Sequence, residues 1–586
     1  MQVLRVLKKF NIILSNRQKL QMTKIFVLMV IGGFLETFSV SLMLPFMNIV
    51  MNPEKTMENQ LVRNICRLLG IQSAQSFLVV LAITLGAVFL IKNAFLLMEY
   101  NAQYSFVYGN MIDTQKTLLS NLIHKPYEFF LRIETGEIVR IINNDTTQTF
   151  FLLTTLLQLF TELIVSGMII ITVVMIAPII TIFMAIILLL VVLAMNFILK
   201  PILRNMGKET QNGSAGMNKW LIQSIQGIKE LKVLMKEDYF KDKFSKYGDK
   251  YVVSLRQYEV LSVAPRFIIE ATSMCAMFAI VALLIYNGAA LETVVPILTA
   301  TAMAAIRLLP SVNRIISSLT NISYREPMLD KLIEHLEDIS ETCDTLSKEQ
   351  LAEKLPKQSS IQELQEGIDF SKITYFYPDS HKAVLKEANM KIKKGQSVGI
   401  IGPSGSGKTT AVDILLGLLR PEEGIVSVDG ISIVEDKKGF LNQVGYIPQS
   451  AFLLDDSIRA NVTFGEENAR DEDVWSALEA AALSDFVREL PDGIYTKIGE
   501  RGVRLSGGQK QRIGIARALF RNPSILVFDE ATSALDNETE KSIMQSINHL
   551  KGKKTMIIIA HRLTTIENCD MIFKVENGKI TKEKTH

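Results

Sequence analysis

The sequence predicts a multi-domain protein in which an all-α membrane domain of six helices is followed by an α/β domain. Long apolar runs fill roughly the first 320 residues, and most charged residues lie between or after these runs. A hydrophobic fraction of 48% and a mean hydropathy of +0.24 are high for a soluble protein. From Ile368 onward, short apolar strands such as "SVGII" alternate with helix-like segments, which is typical of an α/β domain.

Residues 1–22 predict an amphipathic interfacial helix at the membrane surface. Its apolar side chains recur at helical spacing and share one face, opposite lysines and arginines. These apolar residues are Val3, Leu7, Phe10 and Leu14. The apolar run that follows is longer than the core of a signal peptide and has no small-x-small cleavage site, so it predicts a retained first span.

A transmembrane domain is predicted over residues 23–325. Each span has about 20 or more mostly apolar residues, enough to cross a hydrocarbon core ~30 Å thick. Pro178 predicts a tight turn between the third and fourth spans. Long basic connections follow the second and fourth spans, so these connections and both termini are expected in the cytoplasm. The predicted spans are 24–50, 76–100, 151–176, 179–200, 262–287 and 293–320.

Two further segments connect these parts. After the first span, Leu61–Gly70 predicts either a short amphipathic helix on the outer leaflet or a solvated loop helix, and both alternatives stay open. Residues 326–366 are charged and helical in pattern, which predicts a linker before a C-terminal domain over residues 367–586.

Composition argues against two other classes of site. The formal net charge is only +3 and no basic cluster alternates with aromatic residues, so nucleic-acid binding is not expected. The cysteines have neither metal-ligand nor disulfide spacing. We therefore expect them to be ordinary core or surface residues. They are Cys66, Cys275, Cys343 and Cys569.

The C-terminal domain carries a phosphate-binding loop, "GPSGSGKT" at Gly402–Thr409. The loop follows the apolar strand "SVGII" and precedes a helical segment, which is the context that such a loop needs. Its glycines allow backbone N–H groups to converge on phosphate oxygens at a helix N-terminus. Lys408 is expected to reach the β- and γ-phosphates of a nucleotide, and the Thr409 hydroxyl is expected to bind Mg²⁺.

A pair of carboxylates, Asp529 and Glu530, ends the apolar strand "ILVFDE" further along the chain. Residues at the C-terminal end of such a strand face a nucleotide bound on the loop. One carboxylate can hold Mg²⁺ while the other acts as general base toward the attacking water.

The segment "LSGGQ" (Leu505–Gln509) with "KQRIGIARAL" after it resembles the signature of ABC-type ATPases. This resemblance implies that Gln449 and His561 act with Glu530 and Lys408 in catalysis, and that Thr409, Gln449 and Asp529 hold Mg²⁺. It also implies that an aromatic ring stacks on adenine; Tyr377 is expected, and Tyr375 and Phe376 are the alternatives. The implied ATP-binding residues are Tyr377, Gly402, Pro403, Ser404, Gly405, Ser406, Gly407, Lys408, Thr409, Thr410, Ser506, Gly507, Gly508, Gln509 and Asp536.

The same resemblance implies a dimer. In ABC proteins the signature of one subunit completes the ATP site of the other, so Ser506 and Gly508 would meet the partner's γ-phosphate. The sequence has one nucleotide-binding domain, and Glu530 and His561 match the active pattern, so a homodimer is expected and a heterodimer with a degenerate partner stays open. Six spans ahead of one such domain resemble exporters, with Lys125–Asp145 and Asn212–Lys232 as the coupling segments.

Charged residues within the predicted spans are functional candidates. Arg266 and Glu270 lie four residues apart and can form a local ion pair instead. Arg307 and Arg314 share a helix face without an acidic neighbour, so they need an acid on another helix, a water-filled cavity or an anionic ligand. The candidates are Glu36, Lys92, Glu162, Arg266, Glu270, Arg307 and Arg314.

Three membrane segments support a narrower resemblance: "GFLETFSVSLMLPFMNIV", "SVAPRFIIEA" and "AAIRLLPSVNRIISS" are similar to bacterial lipid-linked oligosaccharide flippases of the protein N-glycosylation pathway. The resemblance implies ATP-driven flipping of a polyprenyl-pyrophosphate-linked glycan across the bacterial inner membrane. The resemblance also implies that basic residues contact the substrate, and these are Lys92, Arg266, Arg307 and Arg314. The arginine guanidinium groups can bind phosphate by paired hydrogen bonds, whereas the Lys92 ammonium supplies charge without that geometry. An exporter of drugs, plain lipids or peptides is the nearer alternative, and an ATP-gated channel or regulator the more distant one.

Overall fold

The protein forms two compact units, Met1–Lys125 with Ile133–Thr345 and Pro126–Arg132 with Leu346–His586. The short segment Pro126–Arg132 therefore belongs with the C-terminal part of the chain, although it is flanked by the first unit in sequence. The computed structural model describes residues 2–42, 46, 50, 73–176, 178–286, 309–336, 361, 363–378, 380–530, 545, 549–560 and 566–583.

The described residues of the first unit are helical throughout most of their length. The helices are Gln2–Ile13, Asn16–Ser41, Ala74–Ile123, Thr135–Val139, the π-helix Arg140–Asp145, Thr146–Ile176, Pro178–Gln226, Ile228–Val233, Glu237–Tyr286 and residues 309–336. Among described residues, three segments are long and apolar enough to cross a membrane: Asn16–Ser39, Gln75–Ile123 and Thr135–Ile171. Residues 293–308 of the sixth predicted span, and Leu61–Gly70, lie outside the described part of the chain.

Several helices extend well beyond the predicted spans. Ala74–Ile123 has 50 residues, where hydropathy predicted a span over 76–100. At about 1.5 Å per residue this helix is ~75 Å long, more than twice a hydrocarbon core of ~30 Å. Hydropathy identifies only the part of a helix that lipid can surround. The helices are longer than that part, because backbone hydrogen bonding continues into polar sequence. Pro178 begins the fourth long helix, where its missing N–H costs no helical hydrogen bond.

The N-terminal helix differs from the predicted interfacial helix in length and in surroundings. It ends at Ile13, and a second helix begins at Asn16. Val6 and Phe10 are 0% and 1% exposed, because they pack against other helices of the first unit. The Gln2 side chain donates hydrogen bonds to Ser323 Oγ (3.1 Å) and Glu326 Oε2 (3.0 Å).

The predicted domain boundary at residue 325 falls inside a helix. Residues 309–336 are continuously helical, and the linker predicted to start at 326 therefore starts later. Met328, Leu329 and Leu332 are at most 2% exposed, so burial on the first unit carries the helix through this point. Lys9 of the N-terminal helix forms ion pairs with Glu326 and Asp330 on the same stretch.

The second unit contains two sheets. Strands β1 (Gly367–Tyr375), β2 (Leu385–Lys393), β4 (Glu423–Val428) and β5 (Ile431–Ser432) form an antiparallel sheet in the order β2-β1-β4-β5. The other sheet has the order β10-β9-β3-β8-β7-β6, with only β10 antiparallel. Its strands are β3 (Ser397–Ile401), β6 (Val444–Ile447), β7 (Ile525–Asp529), β8 (Thr555–Ile559), β9 (Met571–Glu576) and β10 (Lys579–Glu583).

The parallel sheet is covered on both faces. Strands β7 and β8 are buried at every position, as expected when apolar clusters lie on each side of a parallel sheet. The helices of this unit are Tyr127–Phe130, Lys408–Leu415, Lys437–Asn442, Ile458–Thr463, Asp471–Ala480, Ser484–Glu489 and Gly507–Phe520, with 3₁₀ turns at Gly493–Tyr495 and Glu500–Gly502. Because β3, β8 and β7 run parallel, their C-terminal ends meet at one edge, where this fold class binds ligands.

Asp429, after β4, holds the chain that enters β1. Its carboxylate accepts hydrogen bonds from the backbone N–H groups of Gln365, Glu366 and Gly367 at 2.7–2.8 Å. Burial alone would raise the pKa of Asp429, but the backbone N–H donors outweigh burial and hold the pKa below its usual value.

We expect Asp429→Asn to lower stability at pH 7 by about 1 kcal/mol. Three hydrogen bonds to a charged carboxylate are weakened, and partial exposure to solvent limits the size of the effect. The folded-state pKa is depressed, so the stabilisation is present above the unfolded pKa and is lost as pH falls through the folded pKa. Thermal unfolding of the detergent-solubilised protein checks this. The difference from wild type should shrink below about pH 4, and exposed Asp455→Asn should show no difference at any pH.

Candidate nucleotide-binding and membrane sites

The phosphate-binding loop has a backbone that only glycine fits at two positions. Gly402, just after β3, has φ of 152°, and a Cβ there would lie 2.3 Å from the carbonyl oxygen of Val575. Gly407 has φ of 102° and caps the helix Lys408–Leu415 at its N-terminus. The two glycines let the loop turn tightly into the helix, a backbone geometry in which N–H groups can converge on an anion. The Ser406 N–H donates a hydrogen bond to the carbonyl oxygen of Pro403 (3.2 Å).

Lys408 is buried inside this loop, with only 4% of its surface exposed. Its Nζ donates hydrogen bonds to the carbonyl oxygens of Gly402 (2.9 Å) and Pro403 (3.0 Å). A buried ammonium needs such partners, and these two hold the amine within the curve of the loop. Thr409, the next residue, exposes its side chain. The loop thus places a fixed cation beside a free hydroxyl, the combination expected for phosphate and Mg²⁺.

The two carboxylates at the end of β7 have different environments. Asp529 is 7% exposed, and Tyr446 donates a hydrogen bond to its Oδ2 (3.3 Å). Burial raises the pKa of Asp529, against the lowering effects of Tyr446 and the Lys408 cation. Glu530 follows with φ of 49°, a left-handed conformation that is unusual for a side chain of this size. Such local strain is often found at functional sites.

Gln449 and Glu530 lie next to each other in the structure. The Gln449 side-chain amide donates a hydrogen bond to Glu530 Oε2 at 2.7 Å. Gln511, on the helix Gly507–Phe520, donates a hydrogen bond to the carbonyl oxygen of Pro448 (3.0 Å) and so holds the segment that carries Gln449. Gln511 is 3% exposed. Sequence reasoning missed it, because its contact joins segments distant in the chain.

Asp413 was also missed by sequence reasoning. It lies on the helix that starts at Lys408, and its pKa is raised to about 6 by burial and then by the neighbouring Asp529 carboxylate. The signal in the sequence was a single acidic residue within the apolar segment "TAVDILLGLL". Two neighbouring carboxyl groups whose burial raises their pKa values indicate a place where a divalent cation would be stabilised.

Tyr377 has the exposed ring that base stacking requires. It is 36% exposed, whereas Tyr375 is 3% exposed and packs edge-on against it at 5.3 Å between ring centroids. The Tyr377 hydroxyl lies 3.0 Å from Thr410 Oγ1. Of the three aromatic candidates, Phe376 is only partly exposed. The geometry therefore favours Tyr377.

A cavity of about 470 Å³ opens beside Tyr377 in the second unit. Part of its wall comes from the segment Pro126–Arg132, which contributes Glu128 and Arg132. Glu128 Oε1 accepts a hydrogen bond from the backbone N–H of Arg420 at 2.7 Å. The first predicted coupling segment, Lys125–Asp145, thus begins with residues that pack against the nucleotide-binding domain.

We expect Tyr377→Ala to weaken ATP binding by about tenfold, because stacking of one base on an aromatic ring is worth roughly 1–3 kcal/mol. Tyr377→Phe keeps the ring face and should bind ATP within about twofold of wild type, since it loses only the contact with Thr410. Titration with a fluorescent ATP analogue measures both affinities. Equal loss in both variants would contradict stacking as the role of this ring.

The signature segment forms the start of a helix. Ser506 caps Gly507–Phe520: its Oγ accepts the Gln509 N–H (3.3 Å), and Gln509 Oε1 accepts the Ser506 N–H (2.8 Å). Ser506 and Gly507 are exposed, so the positive end of this 14-residue helix faces outward. Asp536 and His561 lie outside the described residues, as does Arg307 of the first unit.

The structure supplies an acid for one of the membrane arginines. Arg314 Nε lies 2.5 Å from Glu162 Oε1, so the alternative of an acid on another helix is realised for this residue. Arg314 is nonetheless 54% exposed at its side chain, and within the described part of the chain no acceptor contacts its Nη groups. The sequence left this pairing open, because Glu162 is distant along the chain.

The other described membrane cations have no acidic partner among the residues that the structure covers. Arg266 and Glu270 are both exposed, and no ion pair joins them in the described region, so the local pair that their spacing allowed is not formed. Lys92 is partly exposed, and its Nζ lies 5.1 Å from the centroid of the Phe89 ring.

Two family models match the chain, one described as ABC transporter over residues 385–533 and one as ABC transporter transmembrane region over residues 22–303. An ATP-dependent lipid A-core flippase of Blochmanniella pennsylvanica (strain BPEN) is 30% identical over 82% of this chain and 81% of that protein. The putative multidrug export ATP-binding/permease protein YgaD of Bacillus subtilis (strain 168) is 27% identical over 81% and 80%.

Other relatives match over less of their length. The chain spans 40% of the uncharacterized ABC transporter ATP-binding protein YwjA of Bacillus subtilis (strain 168), at 42% identity. The solved structure of a bacterial Atm1-family ABC exporter with ATP bound shares the fold, with a TM-score of 0.74, 20% identity, and coverage of 97% of this chain and 95% of that chain. The predicted fold class and the resemblance to ABC exporters are confirmed. The chain belongs to the ABC transporter family, in the exporter arrangement of a transmembrane region followed by an ATP-hydrolysing domain.

Proposed function

We propose that two copies of this chain form an exporter in the bacterial cytoplasmic membrane that flips a large anionic lipid-linked glycan, most specifically a polyprenyl-pyrophosphate-linked oligosaccharide. The observation that carries the substrate class is the exposure of Arg266 and Arg314 on helices that the sequence places in the membrane. Exposed guanidinium groups in an apolar setting need an anion or water, and they bind phosphate by paired hydrogen bonds.

The nucleotide chemistry follows from the second unit. ATP would lie with its phosphates on the loop at Lys408 and its base on Tyr377. Thr409, Gln449 and Asp529 offer the oxygen ligands that Mg²⁺ prefers, and the ion would neutralise developing charge on the phosphates. Glu530 would accept the proton of the attacking water, oriented by Gln449. His561 and Asp536 are proposed at the γ-phosphate and at the subunit contact.

A second copy is proposed because the signature helix presents its N-terminus outward. Ser506 and Gly508 would bind the γ-phosphate on the loop of the other subunit, in keeping with the positive end of the helix. Directly after the second predicted coupling segment, Asn212–Lys232, the apolar side chains of Val233, Leu234 and Met235 are 73%, 65% and 83% exposed. Such side chains would be covered by a nucleotide-binding domain of the dimer, with both domains and all termini on the cytoplasmic side.

Two kinds of relative support different substrates. The relatives named lipid A-core flippases favour a lipid-linked substrate with a large polar head. The relative named as a multidrug export protein favours an apolar substrate, and Phe34 and Phe38 are consistent with that second candidate. These two rings are 58% and 47% exposed and stack at 6.1 Å between centroids on the first membrane helix.

Flipping by the purified protein tests the proposal. After reconstitution into liposomes, ATP should drive movement of a polyprenyl-pyrophosphate-linked oligosaccharide, and Arg307→Ala with Arg314→Ala should abolish it while basal ATP turnover persists. Flipping at the wild-type rate by this double variant would exclude the proposed contact of these arginines with the substrate phosphates. ATP-driven uptake of apolar dyes without glycan flipping would favour the multidrug alternative, and absence of steady ATP turnover would favour an ATP-gated channel or regulator.

Glu162→Gln separates substrate binding from structural pairing. It removes the acid that pairs with Arg314 and leaves the arginine in place. If Arg314 binds pyrophosphate, Glu162→Gln retains flipping and Arg314→Ala does not. If the pair serves only to stabilise the helices, both variants lower the unfolding temperature and flipping together.

A further inference from the structure

Three tyrosines form a ladder along one side of the helix Ala74–Ile123. Tyr100, Tyr104 and Tyr108 follow each other at intervals of four residues, with ring centroids 6.3 Å apart and neighbouring rings inclined by 25° and 32°. Their exposed fractions are 39%, 39% and 46%. Each ring therefore retains surface that the described part of the chain does not cover.

The ladder starts at the end of the predicted span 76–100 and continues into the polar part of its helix. Tyr100 is 26 residues from Ala74, which is about 39 Å at 1.5 Å per residue, and Tyr108 is about 51 Å away. A hydrocarbon core is ~30 Å thick, and aromatic residues that anchor a helix at the membrane surface lie at one depth. Rings spread over roughly 12 Å of helix are not explained by such an anchor.

The first ring of the ladder is close to the membrane charges already described. The Tyr100 hydroxyl lies within electrostatic reach of both Glu162 and Arg314. On the adjoining face of the same helix, Gln103 donates a hydrogen bond to Glu99 Oε1 (2.9 Å), and both residues are 1% exposed. The helix is therefore held on one side by buried polar packing, while the exposed ladder begins at Tyr100, the ring on which the charges of Arg314 and Glu162 act.

We propose that the tyrosine ladder binds the saccharide part of the transported lipid, with Tyr100, Tyr104 and Tyr108 each stacking on one sugar ring. A pyranose presents C–H groups on its faces, which suit the negative face of an aromatic ring, and its hydroxyls can bond to the tyrosine hydroxyl. The ladder spans about 12 Å, the length of a short oligosaccharide. The Arg314–Glu162 pair at its end offers a donor and an acceptor where sugar meets phosphate.

This inference rests on the proposed transport of a lipid-linked glycan, and it is tested separately from that transport. The full-length protein in detergent is incubated with free maltotriose or chitotriose, and saturation transfer from protein to sugar protons is recorded by NMR. We expect a signal for wild type and a loss of at least tenfold in the variant with Tyr100→Leu, Tyr104→Leu and Tyr108→Leu. Tyr104→Phe should retain most of the signal, because the ring is kept. The exposed Tyr286→Leu is the matched control and should behave as wild type.

A second measurement uses lipid probes in liposomes. Farnesyl pyrophosphate linked to the bound trisaccharide should stimulate ATP turnover at a concentration at least tenfold higher in the triple variant than in wild type. Farnesyl pyrophosphate without sugar should show no such shift. Saccharide binding that depends on the tyrosines, without flipping of the lipid probe, would support the ladder as a saccharide site. The same result would contradict the proposed transport of a lipid-linked glycan.

Two results would overturn the ladder as a saccharide site. One is a wild-type protein that transfers no saturation to either trisaccharide, even if the lipid probe is flipped. The other is a triple variant that elutes as a monomer where wild type elutes as a dimer, which would make the tyrosines a contact between copies of the chain.

Discussion

Glu530→Gln should lower the rate of ATP hydrolysis by roughly 10²–10⁴-fold, because an amide does not accept the proton of the attacking water. The substituted side chain has the shape of the original and can still accept the hydrogen bond from Gln449, which is 2.7 Å long in the wild-type protein. ATP affinity should therefore change by less than about threefold. Phosphate release and calorimetric titration of ATP measure the two quantities.

The exposed Glu479→Gln, on the helix Asp471–Ala480, serves as the matched control and should hydrolyse ATP at the wild-type rate. Glu530→Asp keeps a carboxylate but draws it back by one methylene, so its rate should fall between those of wild type and Glu530→Gln. A normal rate in Glu530→Gln would exclude this residue as the base and direct attention to Asp413 and Asp529.

Lys408→Ala should weaken ATP binding by on the order of 10²-fold and abolish measurable turnover. The amine is 4% exposed and bonds two loop carbonyls, so its removal takes away a preorganised charge where the phosphates bind. It also leaves the carbonyl oxygens of Gly402 and Pro403 without this donor. ATP titration and phosphate release should both report the loss.

Lys437→Ala is the matched control, since Lys437 also donates to a backbone carbonyl, that of Gly417 (2.6 Å), but at an exposed position. It should bind ATP as wild type does. Lys408→Arg keeps the charge but places a larger, planar group in a buried position, so it should not restore binding. ATP affinity in Lys408→Ala equal to that of wild type would show that the loop backbone alone holds the phosphates.

The ATP site was largely readable from the sequence, because its chemistry requires particular residue types at short spacing. Gly402–Thr409 must follow a strand and open a helix, and the structure has both. The sequence did not single out the aromatic residue that stacks on adenine, since three aromatic residues lie in one segment. Exposure favours Tyr377, because Tyr375 is buried in the core of its sheet and Tyr377 is not. Asp413 and Gln511 depend on contacts across the fold and had only weak signals.

The membrane part was predicted less completely. Hydropathy predicted six spans, because lipid requires about 20 apolar residues. Among the described residues, three helical segments are long and apolar enough to cross a membrane. Hydropathy did not show how far each helix continues into polar sequence. The N-terminal helix was predicted to face the membrane surface from its apolar stripe. The helix does have an apolar face, but such a face can pack on lipid or on protein. In the structure, Val6 and Phe10 pack on protein.

By itself the sequence determined the class of fold, the phosphate-binding loop and the carboxylates at the end of β7, because each follows from local order along the chain. Tertiary structure alone decided which charges and rings meet. Arg314 and Glu162 are far apart in sequence and 2.5 Å apart in space, and Gln449 contacts Glu530 across a sequence separation of 81 residues. Such pairs depend on how helices and strands pack. Burying a charge without a partner costs free energy, and that cost depends on which side chains meet in the folded protein.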